Sequence, residues 1–118
     1  MAMHTDLEIH KSAEELLGVA IQLVRNIPRD LKQLVGVKIL DECLEVLRMI
    51  GRANMARDKR PDLNTLLGSI QVINQLLRAM VSMQFMSIPQ HAKVMKLTAS
   101  VGKQANAWKR SSATAPAT

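Results

Sequence analysis

Hydrophobic positions recur at helical spacing along almost the whole chain, and no segment alternates with the period of two that a β-strand needs. Proline or a polar cluster divides this pattern into four segments. They predict helices at about residues 6–26, 30–57, 62–86 and 88–110. Because the links between them are short, consecutive helices should be antiparallel. The pattern therefore predicts an all-α, antiparallel up-down four-helix bundle in a single domain, residues 1–110.

Each predicted helix has a polar residue at its start that can cap the free backbone N–H groups of the first turn. Thr5 also has Glu8 three residues later, which is the spacing of a capping box. The residues after the last helix, 111–118, are small and polar and include proline, so they are expected to form a disordered tail. The candidate capping residues are Thr5, Asp30, Asp62 and Ser87.

Helices two and three carry more apolar residues than one helix face can hold. The main apolar face of helix two is predicted at Leu34, Val37, Leu40, Leu44, Leu47 and Ile50. The additional apolar positions are Val35, Ile39, Val46 and Met49 in helix two and Val72, Leu76, Met83 and Phe85 in helix three. Since large exposed apolar patches usually mark interfaces, a homo-oligomer is expected. The alternative is that a small bundle simply shows apolar surface.

The core is expected to be aliphatic, because 47% of the residues are hydrophobic but the chain has one Phe, one Trp and no Tyr. The single cysteine, Cys43, cannot form an intramolecular disulfide, and its apolar neighbours predict a small buried residue rather than a reactive thiol. No apolar stretch is long enough to span a bilayer, and the N-terminus does not look like a signal peptide. A soluble, cytoplasmic protein is expected.

Charge is distributed unevenly between the two halves. Residues 1–62 contain ten basic and ten acidic side chains, whereas no acid follows Asp62, so the formal net charge of +6 belongs to the second half. A basic and unneutralised surface favours an anionic partner such as nucleic acid, a membrane surface or an acidic protein. The basic residues of the second half are Arg78, Lys93, Lys96, Lys103, Lys109 and Arg110.

The fourth predicted helix separates apolar and basic residues. Its apolar face is Val94, Leu97, Val101, Ala105 and Trp108. On the opposite side, within an arc of roughly 100° at 3.6 residues per turn, lie Lys93, Lys96, Lys103 and Arg110. A merely solvated face is the simple alternative, but such faces usually include acids. Because the apolar face is short and the chain lacks aromatic residues for stacking on bases, contacts with nucleic-acid phosphates are favoured over membrane binding.

The candidate phosphate-binding residues extend beyond this helix. Lys109 and Arg110 follow the lysines of helix four, Arg78 lies in helix three, and a second basic cluster at the first turn contains Arg25, Arg29 and Lys32. Catalysis has little support, because His4, His10 and His91 are far apart in sequence and the glycines stand alone rather than in a phosphate-binding loop. No catalytic residue, metal or cofactor is expected.

Several short motifs follow one another along the chain: Ile27-Pro28-Arg29-Asp30, the segment from Ala53 to Lys59, Leu77-Arg78, Val101-Gly102-Lys103 and Trp108-Lys109. Their order and spacing resemble the accessory variability determinant proteins, which belong to a four-helix-bundle superfamily that also holds proteins encoded in ribosomal RNA intervening sequences. The likeness covers about residues 6–110. The resemblance implies a basic homopentameric barrel that partners the reverse transcriptase of a diversity-generating retroelement. It also implies binding of template RNA, DNA or RNA–DNA hybrid during mutagenic complementary-DNA synthesis.

Other interpretations of the basic bundle stay open at this point. It can be a protein-interaction adaptor whose basic face binds an acidic protein without nucleic acid, or a small toxin or stress-type bundle. Gly102 has two interpretations as well: it permits close approach of a neighbouring helix, or it is a tolerated helix glycine that costs about 1 kcal/mol.

Overall fold

The computed structural model describes residues 7–114, with side chains as far as residue 112. Over this range the chain has four helices and no strand, which confirms the all-α prediction. Helix α2 contains a π-helical turn, Lys32–Gly36, between its short first segment Arg29–Leu31 and its main segment Val37–Met55. The other helices are α1 (Glu8–Arg25), α3 (Arg60–Ser82) and α4 (Ile88–Thr114).

The four helices form an elongated bundle of 51 × 21 × 20 Å. Each helix packs against two others, in the order α1, α2, α3, α4 and back to α1. The closing contact includes a hydrogen bond in which Gln104 Nε2 of α4 donates to Ser12 Oγ of α1 at 3.1 Å. This bond joins the C-terminal part of α4 to the N-terminal part of α1, so these two helices are antiparallel. The α1–α2 and α3–α4 turns consequently lie at the same end of the bundle.

One predicted cap is confirmed and two are wrong. Ser87 Oγ accepts a hydrogen bond from the Gln90 backbone N–H at 3.2 Å, and Gln90 Oε1 accepts one from the Ser87 N–H at 3.0 Å, which is a complete capping box. Asp30 and Asp62 instead lie inside the first turns of α2 and α3 and make no capping hydrogen bond. Asp62 pairs with Arg52 across the α2–α3 contact, at 3.4 Å. The proposed box of Thr5 lies outside the described residues.

Two predicted helix ends also need correction. Helix α3 stops at Ser82 rather than residue 86, because Gln84 adopts a left-handed conformation with φ 64°. The Phe85 N–H then bonds to the Met80 carbonyl at 2.8 Å and the Gln84 N–H to the Val81 carbonyl at 3.0 Å, the two hydrogen bonds of a Schellman motif. Helix α4 continues to Thr114, so residues 111–114 of the expected tail are helical. Residues 115–118 are not described.

The inward face of α2 differs from the prediction. Of the main face expected, Leu34, Val37 and Leu44 are exposed. The residues expected to be surplus fill the core instead, because the neighbouring helices contact the adjacent stripe. In α1, Ile21 is a further large apolar side chain that is half exposed. The buried residues of α2 are Ile39, Cys43, Val46, Met49, Ile50 and Ala53.

Close packing at two positions follows from small side chains. Gly36 is buried against α1, and a Cβ atom added there would lie 2.7 Å from Val24 Cγ1. Cys43 is fully buried, as expected. Burial, with a smaller contribution from the nearby Glu42 charge, raises the pKa of the Cys43 thiol to about 12. The thiol is therefore protonated at neutral pH and serves as a packing group.

Candidate nucleic-acid interface

Helix α4 has the single apolar face that its sequence predicts. Val94, Val101 and Ala105 are buried, and Leu97 and Trp108 pack against them with part of their surface exposed. Thr98 is the polar member of this face, and its hydroxyl donates to the Met95 carbonyl at 3.2 Å. The opposite face of α4 consequently points to solvent.

This outer face carries the predicted basic stripe. Lys93, Lys96, Lys103 and Arg110 are all exposed, and at 1.5 Å per residue the stripe is about 25 Å long. Repulsion between like charges three or four residues apart costs only a few tenths of a kcal/mol, so the helix does not need a bound anion to fold. Lys109 is half-buried and lies away from the stripe, near the apolar face.

Within the described part of the chain, the stripe lysines have no acidic partner. No carboxylate among residues 7–112 lies within 4 Å of the Nζ atom of Lys93, Lys96 or Lys103. The first half differs, because six of its described carboxylates lie within 4 Å of a basic side chain, while Glu15, Asp30 and Asp41 have no such partner among residues 7–112. These pairs are Glu8 with Lys11, Glu14 with His10, Glu42 with Lys38, Glu45 with Arg48, Asp58 with Arg60 and Asp62 with Arg52.

The charge of Glu42 in α2 is compensated by contacts within the protein. Its carboxylate lies 3.0 Å from Lys38 Nζ and accepts a hydrogen bond from the Ser69 hydroxyl of α3. Burial by itself would raise the pKa of Glu42, but the Ser69 hydrogen bond and the Lys38 charge outweigh it and lower the pKa below its ordinary value. The carboxylate is thus held ionised inside the protein's own network and is not left for an external partner.

The second predicted cluster lies at one end of the basic stripe. Arg25 and Arg29 are exposed and Lys32 is half-buried, all at the α1–α2 turn. Since α1 and α4 are antiparallel and Ser12 lies opposite Gln104, Arg25 is level with the beginning of α4. The structure therefore brings this cluster to the same end of the bundle as Lys93. Arg78 is exposed near the end of α3, also at this end.

Sequence reasoning did not identify the role of Lys59. Its Nζ atom donates to the carbonyls of Ala53 at 2.8 Å and Ala56 at 2.9 Å, which closes the C-terminus of α2. The same atom lies 5.8 Å from the centroid of the Trp108 ring. A lysine shortly after a helix is a known capping signal, but its contact with Trp108 depends on how α4 packs. Lys59 therefore stabilises the bundle.

Other kinds of site find no support among the described residues. Trp108 is half-buried beside Lys59, and Phe85 lies in the α3–α4 turn, so neither aromatic ring is on the basic stripe. Between residues 7 and 112 no three His, Cys, Asp or Glu side chains come close enough to hold a metal ion. None of the four helices has both the length and the apolar character to cross a membrane.

Comparisons with known proteins identify a family. No curated protein and no solved structure shows significant similarity to the chain. The family described as bAvd-like matches residues 7–112, a range that includes all of α1, α2 and α3 and almost all of α4. This match confirms the resemblance seen in the short sequence motifs. The chain therefore belongs to the bAvd-like family.

Proposed function

We propose that the protein is a noncatalytic accessory subunit of a diversity-generating retroelement. In this proposal it binds template RNA, DNA or their hybrid through phosphate contacts, and it binds the reverse transcriptase that carries out mutagenic complementary-DNA synthesis. The observation that carries the proposal is the basic stripe of α4, whose lysines have no carboxylate within 4 Å among the described residues. Membership of the bAvd-like family supports the same function.

The physical character of the stripe favours contacts with phosphates. Lysines spaced along one helix face can follow a nucleic-acid backbone, and they carry no information about base sequence. No aromatic ring lies among them to stack on bases. Binding should therefore tolerate changes of sequence and weaken steeply as the salt concentration rises.

Assembly into a homo-oligomer, with the pentameric barrel that the family resemblance implies, belongs to this proposal. Leu34, Val37 and Leu44 are exposed apolar residues on one side of α2, and nearby charges of this helix are paired in Lys38–Glu42 and Arg48–Glu45. A contact between copies through this side would bury the apolar surface and leave α4 accessible. Several copies would then present several basic stripes to one nucleic acid, and binding would gain from multivalency.

The decisive experiment replaces Lys93, Lys96 and Lys103 with Glu. Each substitution changes the charge by two, so the formal net charge falls from +6 to 0. We expect the variant to lose binding to structured RNA and to DNA in a gel-shift titration while its helical content stays the same, because the substituted residues are exposed. In the unmodified protein, log affinity for duplex DNA should fall with log salt by about 0.9 for each phosphate contact.

A matched control separates the stripe from overall charge. Replacing Lys11, Arg48 and Arg60 with Glu produces the same net charge of 0, at exposed residues that are paired with nearby carboxylates. This control should keep most of the affinity for nucleic acid. Equal affinity of the stripe variant and the unmodified protein would refute the role of α4.

The adaptor interpretation makes a different prediction in the same experiments. An adaptor that binds only an acidic protein would be indifferent to RNA and DNA at low salt. Copurification with a reverse transcriptase of a diversity-generating retroelement, with nucleic acid removed by nuclease, then tests the protein-binding half of the proposal separately.

A further inference from the structure

An apolar groove opens at the end of the bundle that carries the α1–α2 and α3–α4 turns. Its volume is about 60 Å³, enough for one aliphatic side chain, and every residue that lines it is apolar. It lies between the beginning of α2 and the end of α3, with Phe85 of the following turn at its margin. The residues that line it include Ile27, Leu31, Val35, Leu76, Met80 and Met83.

Apolar side chains around the groove remain in contact with water. Met83 is 63% exposed, and Ile88 on the other side of the α3–α4 turn is 75% exposed. Full burial of one such side chain is worth about 1.5–3 kcal/mol. A partner that covers this end of the bundle therefore gains free energy that the single chain does not use.

The charge around the groove indicates what kind of partner fits. Residues 25–35 and 75–93 contain five basic side chains and a single acid, Asp30. No carboxylate among residues 7–112 lies within 4 Å of any of these five cations. An occupant with carboxylates beside its apolar group would be complementary to this surface. The basic residues are Arg25, Arg29, Lys32, Arg78 and Lys93.

Other occupants fit less well. A second copy of the chain that approached through the same surface would bring the same cations, and the like charges would repel. Nucleic acid matches the cations but has no aliphatic group for a groove lined only by apolar side chains. The described ends of the chain, Leu7 and Thr114, are also far from the groove. They lie at the opposite end of a bundle 51 Å long.

We propose that this groove is the docking site for an acidic segment of a partner protein. The segment would insert one apolar side chain between Leu31 of α2 and Met80 of α3, and its carboxylates would lie near Arg29 and Lys32. The inference rests on the proposed function, because it assigns a surface and a chemistry to the contact between the accessory subunit and its protein partner. It does not depend on nucleic-acid binding by α4.

The experiment uses the methionine methyl groups as reporters. Met80 and Met83 line the groove, whereas Met55 is exposed at the C-terminus of α2, at the other end of the bundle. The probe is a synthetic peptide of Asp and Glu residues that contains one Leu and one Phe. In methyl NMR spectra of the full chain, the peptide should shift the Met80 and Met83 signals and leave Met55 unchanged. A peptide with Ser in place of Leu and Phe should not shift them.

A matched pair of variants completes the test. Met83→Glu adds a negative charge at the groove, and Met55→Glu adds the same charge at an exposed methionine far from it. We expect peptide affinity to fall at least about tenfold in the first variant and to stay unchanged in the second. Both variants should keep the helical content of the unmodified protein, since both side chains are mostly exposed.

Three results would overturn the docking site. One is a peptide that leaves the Met80 and Met83 signals unchanged, or that binds Met83→Glu as well as it binds the unmodified protein. Another is a lower mass in solution for Met83→Glu alone, which would assign the groove to a second copy. The third is a shift of the groove methionines by RNA without peptide.

Gel shifts of the Met83→Glu protein distinguish this proposal from the proposed role of α4. Retained RNA binding with lost peptide binding supports the groove and leaves the α4 proposal intact.

Discussion

Helices α2 and α4 are both amphipathic, but they use their outer faces in opposite ways. In the middle of α2 four charged side chains are paired, Lys38 with Glu42 and Arg48 with Glu45, both at 3.0 Å, while Leu44 is exposed among them. In α4 the apolar residues are gathered on one buried face, and Lys96 and Lys103 point outward without a described carboxylate within 4 Å. Helix α2 therefore has surplus apolar surface, and helix α4 has surplus positive charge.

This difference indicates two kinds of partner on one small bundle. Apolar surface is covered most favourably by another protein surface, whereas uncompensated lysines are neutralised most favourably by phosphates or carboxylates. A contact between copies through α2 and a nucleic-acid contact through α4 can therefore form together without competing for the same residues. The contrast can be tested by changing each helix in turn.

The largest effect is expected from Leu44→Lys on α2. Because Leu44 is 52% exposed, the substitution should leave the helical content of the chain unchanged, but a charge at an apolar contact between copies should break the oligomer. Light scattering should show a fall to the mass of a single chain. Gln71→Lys, at an exposed position of α3, adds the same charge and should keep the oligomer. An unchanged mass for Leu44→Lys would remove α2 from the proposed assembly.

Smaller effects on the free energy of unfolding, opposite in sign to each other, are expected from alanine substitutions at two glycines. Gly36→Ala in α2 places a Cβ atom 2.7 Å from Val24 Cγ1, so overpacking should lower the free energy of unfolding by about 1 kcal/mol even after the gain in helix propensity. Gly102→Ala in α4 meets no atom within 4 Å and should raise it by up to about 1 kcal/mol. Denaturant unfolding of both variants gives the comparison.

The Gly102 variant also distinguishes the two interpretations of that residue. Among the residues that the structure describes, no atom of a neighbouring helix lies within 4 Å of a Cβ added at Gly102, so the tolerated-glycine interpretation holds for the isolated bundle. If Gly102→Ala lowers the mass in solution instead of raising stability, a second copy occupies the open space beside it. A loss of stability without a change of mass would contradict the prediction.

The smallest effect concerns the charge network of α2 and its pH dependence. Glu42→Gln keeps an acceptor for Ser69 but removes the charge beside Lys38, and it should lower the free energy of unfolding at pH 7 by less than about 1 kcal/mol. Because the pKa of Glu42 is lowered in the folded state, its contribution is present above the ordinary value of 4.5 and is lost as the pH falls through the folded-state pKa. The difference between the two proteins should therefore shrink in unfolding measurements below pH 4.5.

Glu45→Gln is the control for that measurement. Among the described residues Glu45 pairs only with Arg48 on the same helix, and the Arg48 side chain is 61% exposed. Its removal should change stability less than the removal of Glu42. A difference for Glu42→Gln that grows on acidification would show that the contacts with Ser69 and Lys38 do not hold the carboxylate ionised.

Much of α4 was predictable because its determinants are local. Ser87 and Gln90 form their capping box within one turn, and the alternation of Val101 with Lys96 and Lys103 follows from 3.6 residues per turn alone. The inward face of α2 was not predictable in the same way. Its stripes through Leu44 and through Val46 are both apolar, and only contact with α1 and α3 decides that Val46 is buried and Leu44 exposed.

Local sequence patterns were enough to predict four helices, a surplus of basic residues after Asp62 and the placement of this charge on one face of α4. These features depend on neighbours a few residues apart. The tertiary structure decided which stripe of α2 fills the core, that Lys59 reaches both the end of α2 and Trp108, and that the turns at one end enclose an apolar groove. Those features depend on residues far apart in sequence, whose distances are set only when the helices pack.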